Sequence, residues 1–588
     1  MDRRVFVGAG LSFAASPPAL LARAEAKSRV RPGQPGWPAA ADWAKLSDAV
    51  GGRLAPVAMP DLSGPDARAL LANPFYIADQ PALTESSGWL DAWRSSPSVY
   101  VVDARSAEDV AAAVRFAGAR NLRLVVKGRG HSFLGASNAP DSLLIWTRHM
   151  DQVTVHDAFT PQGSTAPPVP AVSCGGGAMW LHAYDAVTTK GGRYVQGGGC
   201  TTVGVAGLVQ GGGFGSFSKA YGLAGASLLE AEIVTADGRV RVVNQVREPD
   251  LFWALRGGGG GTFGVVTRLT LATHALPETF GAVSLSLRAH SDDAYRRLLG
   301  RFVETCAAGL LNPHWGEEVY SGADNRLQVR MVVQGLTRAE ARAAWQPLLD
   351  FAAANPADYD GRDSFSAITF PARWYWNTDV VKATPGNVAL DTHSGATPGD
   401  YWWSGDGAQV GAFWHAFTSA WLPASLLQPP NQARFVDAWF AASRLWGVQF
   451  QLSKGLAGAS AAVLDAARGT PMNPDVLDAF ALAIIADLGP SLYTGAQPFV
   501  SFAQARAARV QAAMKALRAA APDTGAYVNE CDYFQPDWQR AFWGSHYARL
   551  LRITRRYDPP GLFTVHHGVG SEGWSADGFA QLEVLPPH

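Results

Sequence analysis

Two glycine-rich segments combine close-packing backbone with a side chain that can do chemistry. The first, residues 125–133, reads VVKGRGHSF, so a strand-like run ends in small residues directly before His131. Bare backbone amides in such a loop can form a nest for a pyrophosphate. The second, residues 197–204, reads GGGCTTVG and sets Cys200 among glycines. Taken singly, His131 could be a capped loop histidine and Cys200 a buried free thiol.

Glycine is concentrated around the second segment. The chain has 62 glycines in 588 residues, and 20 of them fall between positions 191 and 264. They alternate with Val, Leu, Phe and Ala rather than with the serine of flexible linkers, so we expect close backbone approach inside a folded domain. Residues 259–264 fit the G-x-G-x-x-G pattern, but a helix-like segment precedes them and a strand-like one follows. A Rossmann site needs the reverse order, so we predict none.

The two loops together, about seventy residues apart, resemble the vanillyl-alcohol oxidase superfamily in its berberine-bridge-enzyme-like branch. The resemblance runs from about residue 100 to 273 and resumes from about 526 to 569. It implies an α+β fold: a two-part PCMH-type FAD-binding domain with an inserted substrate domain of antiparallel sheet and helices. It also implies covalent FAD, with His131 bonded to the flavin 8α-methyl and Cys200 to C6.

Further residues are expected to contact FAD because they lie in or beside these loops. From the first loop and its strand these are Lys127, Gly128, Arg129, Gly130 and Ser132. From the second segment and later positions they are Gly198, Gly199, Thr201, Gly204, Gly207, Gly211, Gly212, Gly213, Gly215, Val234 and Asn529.

The segment 527–530, YVNE, is expected to supply the catalytic base. Together with segments 144–149, 542–545 and 569–574, it is similar to the isoamyl-alcohol-oxidase-like subgroup. Many berberine-bridge-like members carry Y-x-N-Y here, whereas this chain has Glu530 at the last position, so the family's tyrosine pair does not carry over. The base is therefore Tyr527, Glu530 or a residue elsewhere. In a strand, Tyr527 and Glu530 would point to opposite faces, which favours Tyr527 at the flavin.

The resemblance implies an oxidoreductase that moves a hydride from an alcohol-type substrate to flavin N5. Val203, shortly after Cys200, is similar to the valine of oxidase-type members, which favours O2 as acceptor and H2O2 as product. A periplasmic dehydrogenase with another acceptor and a non-catalytic flavin-binding protein are the alternatives. Aromatic residues of the middle region could line a pocket for a small-molecule substrate or be ordinary packing: Trp374, Tyr375, Trp376, Trp402 and Trp403.

Composition excludes several other classes of function. The formal net charge is -1, which offers no basic field for nucleic acid. After the first twenty-odd residues no apolar run reaches the ~20 residues that span a bilayer, so we expect no integral membrane contact. No metal is predicted, because His566 and His567 would point to opposite faces of an extended chain. Cys174, Cys306 and Cys531 could give one disulfide or three free thiols; oligomeric state is left open.

The N-terminus is typical of a twin-arginine export signal, with Arg3-Arg4, a short apolar stretch and Ala22-Arg23-Ala24. Such a signal would carry a folded, FAD-loaded protein to the periplasm or outside the cell. The predicted organisation is a signal peptide over 1–24, an N-terminal extension over 25–79, the two parts of the FAD-binding domain over 80–275 and 500–588, and the substrate domain over 276–499.

Local patterns predict the elements that position these residues. Strands are expected over 99–103 and 122–127, joined by a helix that begins with a capping-box-like SAED at Ser106. A hairpin is expected around Asp237-Gly238. The middle region should form strands over 282–288 and 326–334 with helices over 292–308 and 338–354, and the C-terminal region long helices over 502–521 and 537–557.

Overall fold

The structure is a computed structural model that describes residues 28–384 and 386–582. The predicted export signal, residues 1–24, lies outside the described residues. Within them the chain forms three sheets of four or more strands and two short two-stranded ones. No helix of the described ranges combines the length and the apolarity needed to cross a bilayer.

The first sheet contains the predicted β-α-β unit. Helix Ala107–Ala119 connects its strands and begins with a capping box. Ser106 Oγ accepts from the Asp109 N–H (3.2 Å), and the Asp109 carboxylate accepts from the Ser106 N–H (3.1 Å). The spatial order of the strands is Leu54–Pro56, Tyr100–Asp103, Ser142–Trp146 and Arg123–Lys127, the last three parallel. The strand ending at Lys127 thus delivers the chain directly into the His131 loop.

The second sheet is antiparallel throughout. Its predicted hairpin turns at Asp237-Gly238, where Gly238 has a φ of 71° that glycine adopts without strain. Helix Pro249–Ala254 precedes residues 259–264 and a strand follows them, so the order excludes a Rossmann site as expected. The strand order is Val240–Asn244, Leu228–Val234, Val265–Ala272, Val169–Gly175 and Val153–Phe159.

The third sheet has ten strands and is antiparallel except where Ser86–Trp89 pairs in parallel with Ala412–Pro423. Ser86–Trp89 lies in the segment predicted for the FAD-binding domain, yet it joins this sheet. The order is Tyr359–Asp360, Thr279–Ala289, Arg326–Gln334, Trp315–Ser321, Val448–Gln451, Ala479–Gly489, Ala412–Pro423, Ser86–Trp89 and Trp93–Arg94, while Ser366–Pro371 also pairs with Thr279–Ala289.

Four helices cover one face of the third sheet and enclose the largest apolar core of the described residues. In helix Asp292–Thr305 the buried side chains recur with the spacing of one helix face, at positions 294, 295, 298, 299, 302 and 303. The opposite face of the third sheet packs against the chain just after the second glycine segment, because Gly316 lies directly on the Ser216 backbone. The four helices are Asp292–Thr305, Arg338–Ala354, Asn431–Leu445 and Val500–Arg518.

The remaining elements are short. The two small sheets pair Arg193–Tyr194 with His274–Ala275 and Val388–Leu390 with Tyr401–Trp403. The other helices are Ala40–Ala49, Ala67–Leu71, Pro74–Ala78, Trp180–Tyr184, Val205–Gln210, Ser218–Tyr221, Thr378–Val381, Ala461–Arg468, Trp538–Trp543 and Tyr547–Tyr557.

The prediction of one long helix over 537–557 is wrong. The segment forms two helices, Trp538–Trp543 and Tyr547–Tyr557, separated at Gly544. Gly544 has a φ of 53°, which ends a right-handed helix, and its flanking apolar residues concealed the break in the sequence pattern. The first helix is thereby free to place Trp543 in the core, where its indole N–H donates to the Gly257 carbonyl (3.0 Å).

Candidate active site

His131 lies in the loop that follows the first sheet, and its ring is held beside the Cys200 loop. The Thr202 backbone accepts a hydrogen bond from the imidazole. The other nitrogen, Nε2, is buried and has no hydrogen-bond partner within residues 28–384 and 386–582. Burial and the nearby Arg129 cation lower the pKa of His131 to about 4. The imidazole is therefore neutral at physiological pH, with one nitrogen available as a nucleophile.

Cys200 is held on the other side of the same region by a segment from the middle of the chain. Thr201 Oγ1 donates to the Tyr401 carbonyl (2.8 Å), and Trp403 Nε1 donates to the Gly199 carbonyl (3.0 Å). The Cys200 thiol is partly exposed, and the Asp406 side chain lies beside it. The fold thus brings together the two loops that the sequence predicted as partners, because a single residue, Thr201, separates Cys200 from the Thr202 that faces His131.

Several buried polar atoms fit a polar ligand, those of Arg129 and His131 in the first loop among them. Arg129 is 3% exposed, and Nε donates to the Gly177 carbonyl (2.8 Å). A buried guanidinium without acceptors is costly, whereas a phosphate would satisfy it. In the described part of the chain, the buried atoms that lack a partner include Arg129 Nη1 and Nη2, His131 Nε2, Gln210 Oε1, Thr262 Oγ1 and His567 Nδ1. The donor set, an arginine fork beside a histidine and a cysteine, fits FAD.

The glycines between positions 197 and 215 serve two different purposes. A Cβ on Gly211 would lie 2.2 Å from Asn529 Nδ2, and one on Gly213 would lie 2.3 Å from Leu208. Gly212 and Gly215 are equally close to Met472 and the Gly197 carbonyl. Glycine is required at these four positions because the chain packs closely on itself there. Close packing, and not a ligand, is sufficient to explain them.

Other glycines leave room beside them. Gly207 is exposed on helix Val205–Gln210, and a Cβ at this position would have no atom of the described residues within 4 Å. The nearest atom to a Cβ on Gly199 is Glu317 Oε1 at 3.9 Å. Gly204, at the helix N-terminus, faces the Arg129 stem at 3.4 Å. Gly199, Gly204 and Gly207 therefore remain the positions where a large ligand could approach backbone.

Residues 527–530 form a turn, not the strand considered from the sequence. The Glu530 N–H donates to the Tyr527 carbonyl (2.9 Å), which closes the turn and brings both ends together. Tyr527 is buried between Phe214 and Trp421, and its Oη accepts from Asn529 Nδ2 (3.0 Å) and from the Gly213 backbone. Burial and the Glu530 charge raise the pKa of Tyr527. The argument that Glu530 points away from Tyr527 is therefore wrong.

Two charged residues of the site, Lys454 and Glu317, were missed by sequence reasoning. Lys454 forms an ion pair with Glu530, and its Nζ lies 5.9 Å from the centre of the Tyr527 ring. Glu317 accepts a hydrogen bond from Ser216 Oγ. No motif surrounds either residue. Glu317 lies on strand Trp315–Ser321 and Lys454 in the turn after strand Val448–Gln451, so both reach the site only through the third sheet.

The backbone of Glu317 explains how its carboxylate reaches the site. In a regular strand Glu317 would share the helix-covered face with Trp315 and Val319. Its φ of 69° is unusual for a non-glycine residue and lets the carboxylate reach Ser216 instead. Burial, followed by the nearby carboxylate charges of Glu318 and Asp406, raises the pKa of Glu317, while the Ser216 hydroxyl and Lys454 lower it.

The predicted aromatic pocket is only partly assembled. Trp376 is buried and stacks on Tyr184 at 4.0 Å and 16°, and Tyr375 meets Trp376 edge-on at 4.6 Å. Trp403 contacts the Cys200 loop through Gly199. Trp402 packs near Phe75, at 6.2 Å between ring centres. Trp374 is 47% exposed and stands outside this group, because it lies in a short turn at the surface.

Lys127 and Val234 are used elsewhere. The buried Lys127 ammonium donates to the carbonyls of Gln80, Pro81 and Leu83 at 2.7–2.9 Å, so its three protons hold a neighbouring loop rather than a cofactor. Val234 is fully buried in the core between the first two sheets. Neither side chain is therefore available to turn towards a ligand, and contact of these two residues with FAD stays a prediction.

The remaining predicted residues of the two loops are held by hydrogen bonds of the surrounding backbone. Gly128 and Gly130 continue the loop from Lys127, Gly130 at a φ of 80° with its carbonyl accepting from the Glu85 N–H (3.0 Å). Ser132 Oγ accepts from the Ala136 N–H (3.2 Å). The half-buried Val203 accepts from the Trp180 N–H (3.1 Å) through its carbonyl. Their backbones hold the two loops in place beside His131 and Cys200.

His566 and His567 do not point to opposite faces. His567 has a φ of 54°, which turns the chain so that the two rings stack at 3.9 Å, and His566 also stacks on Tyr533 at 3.7 Å. Among residues 28–384 and 386–582, no group of three His, Cys, Asp or Glu is arranged to hold a metal ion. Cys174, Cys306 and Cys531 are buried free thiols.

Comparison with known proteins agrees with this arrangement. Residues 98–244, which include both loops, match the family model described as FAD binding domain. Residues 526–570 match the model described as berberine and berberine like. The chain belongs to the vanillyl-alcohol-oxidase-type, berberine-bridge-enzyme-like flavoproteins. It is thereby an FAD-linked oxidoreductase of that family.

Relatives of this flavoprotein cover nearly its whole length. The chain is 29% identical to the VAO-type flavoprotein oxidase VAO615 of Thermothelomyces thermophilus, over 94% of this chain and 95% of the relative. It is 27% identical to the FAD-linked oxidoreductase ZEB1 of Gibberella zeae, over 94% of each. The crystal structure of MtVAO615 from Myceliophthora thermophila C1 superimposes with a TM-score of 0.76 at 25% identity, covering 94% of this chain and 99% of that one.

A more distant structure shares the fold of this flavoprotein. The glucooligosaccharide oxidase of Acremonium strictum, described with a 6-S-cysteinyl, 8α-N1-histidyl FAD, gives a TM-score of 0.63 at 21% identity, over 81% of this chain and 92% of that one. The expected fold class, a PCMH-type FAD-binding fold with an antiparallel-sheet-plus-helices insertion, is confirmed. The closer likeness to the isoamyl-alcohol-oxidase-like subgroup stays a prediction.

Proposed function

We propose that this flavoprotein is an oxidase that takes a hydride from an alcohol-type CH–OH substrate and reduces O2 to H2O2. We also propose that its FAD is held by two covalent bonds, to His131 and to Cys200. The observation that carries the proposal is the meeting of the two loops: the His131 ring faces the Thr202 backbone, two positions after Cys200, and Nε2 is left without a partner in the described chain. The oxidase relatives support the reaction class.

The groups around Cys200 supply what the oxidation of an alcohol requires. Bound FAD would supply the hydride acceptor, flavin N5. One ring carbon separates N5 from C6, the atom to which Cys200 would be attached. Glu317 would take the hydroxyl proton, since its carboxylate lies near Gly199, 3.9 Å from where a Cβ on that residue would be, and burial raises its pKa. Lys454, paired with Glu530, would hold the substrate oxygen and balance the negative charge left by that transfer.

Tyr527 and Glu530, the bases predicted from the sequence, are less suited to this role. The Tyr527 hydroxyl is buried in an apolar core and already accepts from Asn529 and Gly213. Glu530 is engaged by Lys454. We infer that Tyr527 fixes Asn529 and the Gly213 backbone, and that Glu530 positions Lys454.

Aromatic side chains favour a substrate with an apolar face next to its hydroxyl group. Tyr184, Tyr375, Trp376 and Trp403 lie beside Glu317 or the Cys200 loop. Aromatic walls with one convergent carboxylate suit sugar rings and phenolic or alkyl alcohols. Val203 stays the feature that favours O2 over another electron acceptor.

Stopped-flow reduction with a panel of sugars, phenolic alcohols and alkyl alcohols, followed by a peroxide assay in air, tests the proposal. We expect substrate-dependent bleaching of the flavin and one H2O2 for each substrate oxidised. Glu317→Gln should slow the reduction by about 10²- to 10⁴-fold at unchanged flavin content. Tyr527→Phe is the matched comparison: if it slows reduction that much while Glu317→Gln does not, Tyr527 is the base. Reduction without reoxidation by air would mean a dehydrogenase.

We propose export as the cellular setting, on the twin-arginine sequence at Arg3-Arg4 alone. Twin-arginine export carries proteins that have already folded, which suits a protein whose cofactor must be loaded first. Changing both arginines to lysine should keep the flavin-loaded precursor inside the cell, as measured by fractionation. Unchanged export of that variant would contradict the proposal.

A further inference from the structure

Asp406 lies against Cys200 because the fold fastens its whole segment to the Cys200 loop. Strand Tyr401–Trp403 is joined to that loop by the Thr201 hydroxyl and the Trp403 indole, at 2.8 and 3.0 Å. The chain then enters a short 3-10 turn, Ser404–Gln409, which places the Asp406 carboxylate beside the thiol, within range for each group to shift the pKa of the other. A carboxylate in contact with a nucleophile is the arrangement of a base and the group it activates.

The surroundings keep the Cys200 thiol protonated. Burial and the Asp406 charge raise the pKa of the thiol above its usual value, and the Glu530 charge adds to this, while Lys454 opposes it. Because a thiolate is the form that attacks, the thiol needs a proton acceptor in contact with it. The imidazole of His131, in contrast, is neutral without help.

Asp406 is suited to accept that proton. Burial raises its pKa to about 6, and the facing Glu318 charge contributes, while the thiol hydrogen bond lowers it. Glu85, a buried carboxyl on the His131 side, also senses the Asp406 charge. At pH 7 Asp406 is still a carboxylate, yet a stronger proton acceptor than an ordinary aspartate.

We propose that Asp406 is the general base that activates Cys200 for its covalent attachment to FAD. The inference rests on the proposed two-bond attachment. The S–H bond breaks and its proton passes to the Asp406 carboxylate, while sulfur bonds to flavin C6. The hydrogen displaced from C6 leaves as a proton, and the electron pair of that C–H bond reduces the ring by two electrons. O2 takes these two electrons with two protons and leaves as H2O2, which restores the oxidised ring.

Asp406→Asn in the full-length chain tests this role. The carboxamide keeps the size and the hydrogen bond of Asp406 but cannot take a proton. With FAD still held by His131, we expect the Cys200 peptide to lack the flavin thioether as purified, and thioether formation to be at least about 10²-fold slower than in wild type. Its rate should rise with pH between 7 and 10, because hydroxide replaces the missing base. Mass spectrometry of the Cys200 peptide over time gives both.

The controls separate this inference from the proposed attachment. Asp400→Asn lies on the same segment but pairs with His182, and it should give a complete thioether. Asp406→Ala with added acetate provides an independent variant, and we expect acetate to restore the thioether. Complete thioether in Asp406→Asn, or no rescue of Asp406→Ala, would overturn the role of Asp406. Absence of the thioether from wild type would instead overturn the two-bond attachment itself.

Discussion

Replacing Lys127 by methionine should destabilise the protein strongly and loosen the His131 loop. The Lys127 side chain is 1% exposed, and its ammonium donates to the carbonyls of Gln80 (2.9 Å), Pro81 (2.7 Å) and Leu83 (2.9 Å). The Glu85 N–H then ties this loop to the Gly130 carbonyl, next to His131. The ammonium thus supports the loop that carries one proposed flavin attachment.

The size of the effect follows from the three carbonyls that methionine would leave without donors. An unsatisfied buried acceptor costs about 1–3 kcal/mol. The loop can turn part of its carbonyls to water, and loss of the buried charge removes a desolvation cost, so the net loss should be about 3–5 kcal/mol. Such a loss exceeds the effect of most single substitutions.

Thermal unfolding of the flavin-loaded protein at a fixed scan rate measures this loss. Lys127→Met should unfold well below wild type and should carry less flavin on His131, read from the His131 peptide. Lys382→Met is the control: Lys382 pairs with Asp379 at the surface, and its change should stay within about 0.5 kcal/mol. If Lys127→Met unfolded at the wild-type temperature, the carbonyl cage would not support the loop.

Four further substitutions probe the glycine packing, the pH dependence of stability and the role of Glu530. Gly211→Ala places a Cβ 2.2 Å from Asn529 Nδ2 and should lower the melting temperature. Gly207→Ala meets no atom within 4 Å in the described chain and should stabilise its helix by about 0.5–1 kcal/mol. If Gly207→Ala instead bound less FAD, the ligand would lie beside that helix. Glu85→Gln should flatten the pH dependence of the free energy of unfolding. Burial raises the pKa of Glu85 from 4.5 to about 8, so between these pH values the folded state holds a proton that the unfolded state has lost. The stability of wild type therefore falls as the pH rises through that window. Urea unfolding at pH 5 and pH 8 measures this, and equal slopes for both proteins would contradict it. Glu530→Gln releases Lys454 and should raise KM for the alcohol more than it lowers kcat, and an effect confined to kcat would make Glu530 the base instead.

Local signals in the sequence predicted the scaffold well. The capping box at Ser106, the Asp237-Gly238 hairpin and the alternating strands of the middle region all form close to their expected bounds. These features depend on neighbours within a few residues, so the pattern carries them. Gly544 and the 527–530 turn were misjudged, because apolar residues around Gly544 fit a helix and because YVNE fits a strand as well as a turn.

The loops that bear His131 and Cys200 were recognisable because chemistry and spacing coincide in short segments. Lys454, Glu317 and Asp406 have no such signature, since each comes from a different part of the middle region and reaches Cys200 only through tertiary packing. The backbone φ of 69° at Glu317 could not be read from the sequence either, because strand alternation assigns the residue to the opposite face. The sequence thus predicts the attachment points, and the fold places the charged groups around them.

The most direct test of the central claim is the mass of the denatured protein and of its His131→Ala and Cys200→Ala variants. Covalent FAD survives denaturation, so wild type should carry one FAD, and each single variant should still carry one through the remaining bond. The double variant should carry none. A wild-type mass equal to that of the bare chain, or loss of all FAD from one single variant with none from the other, would contradict attachment at both His131 and Cys200.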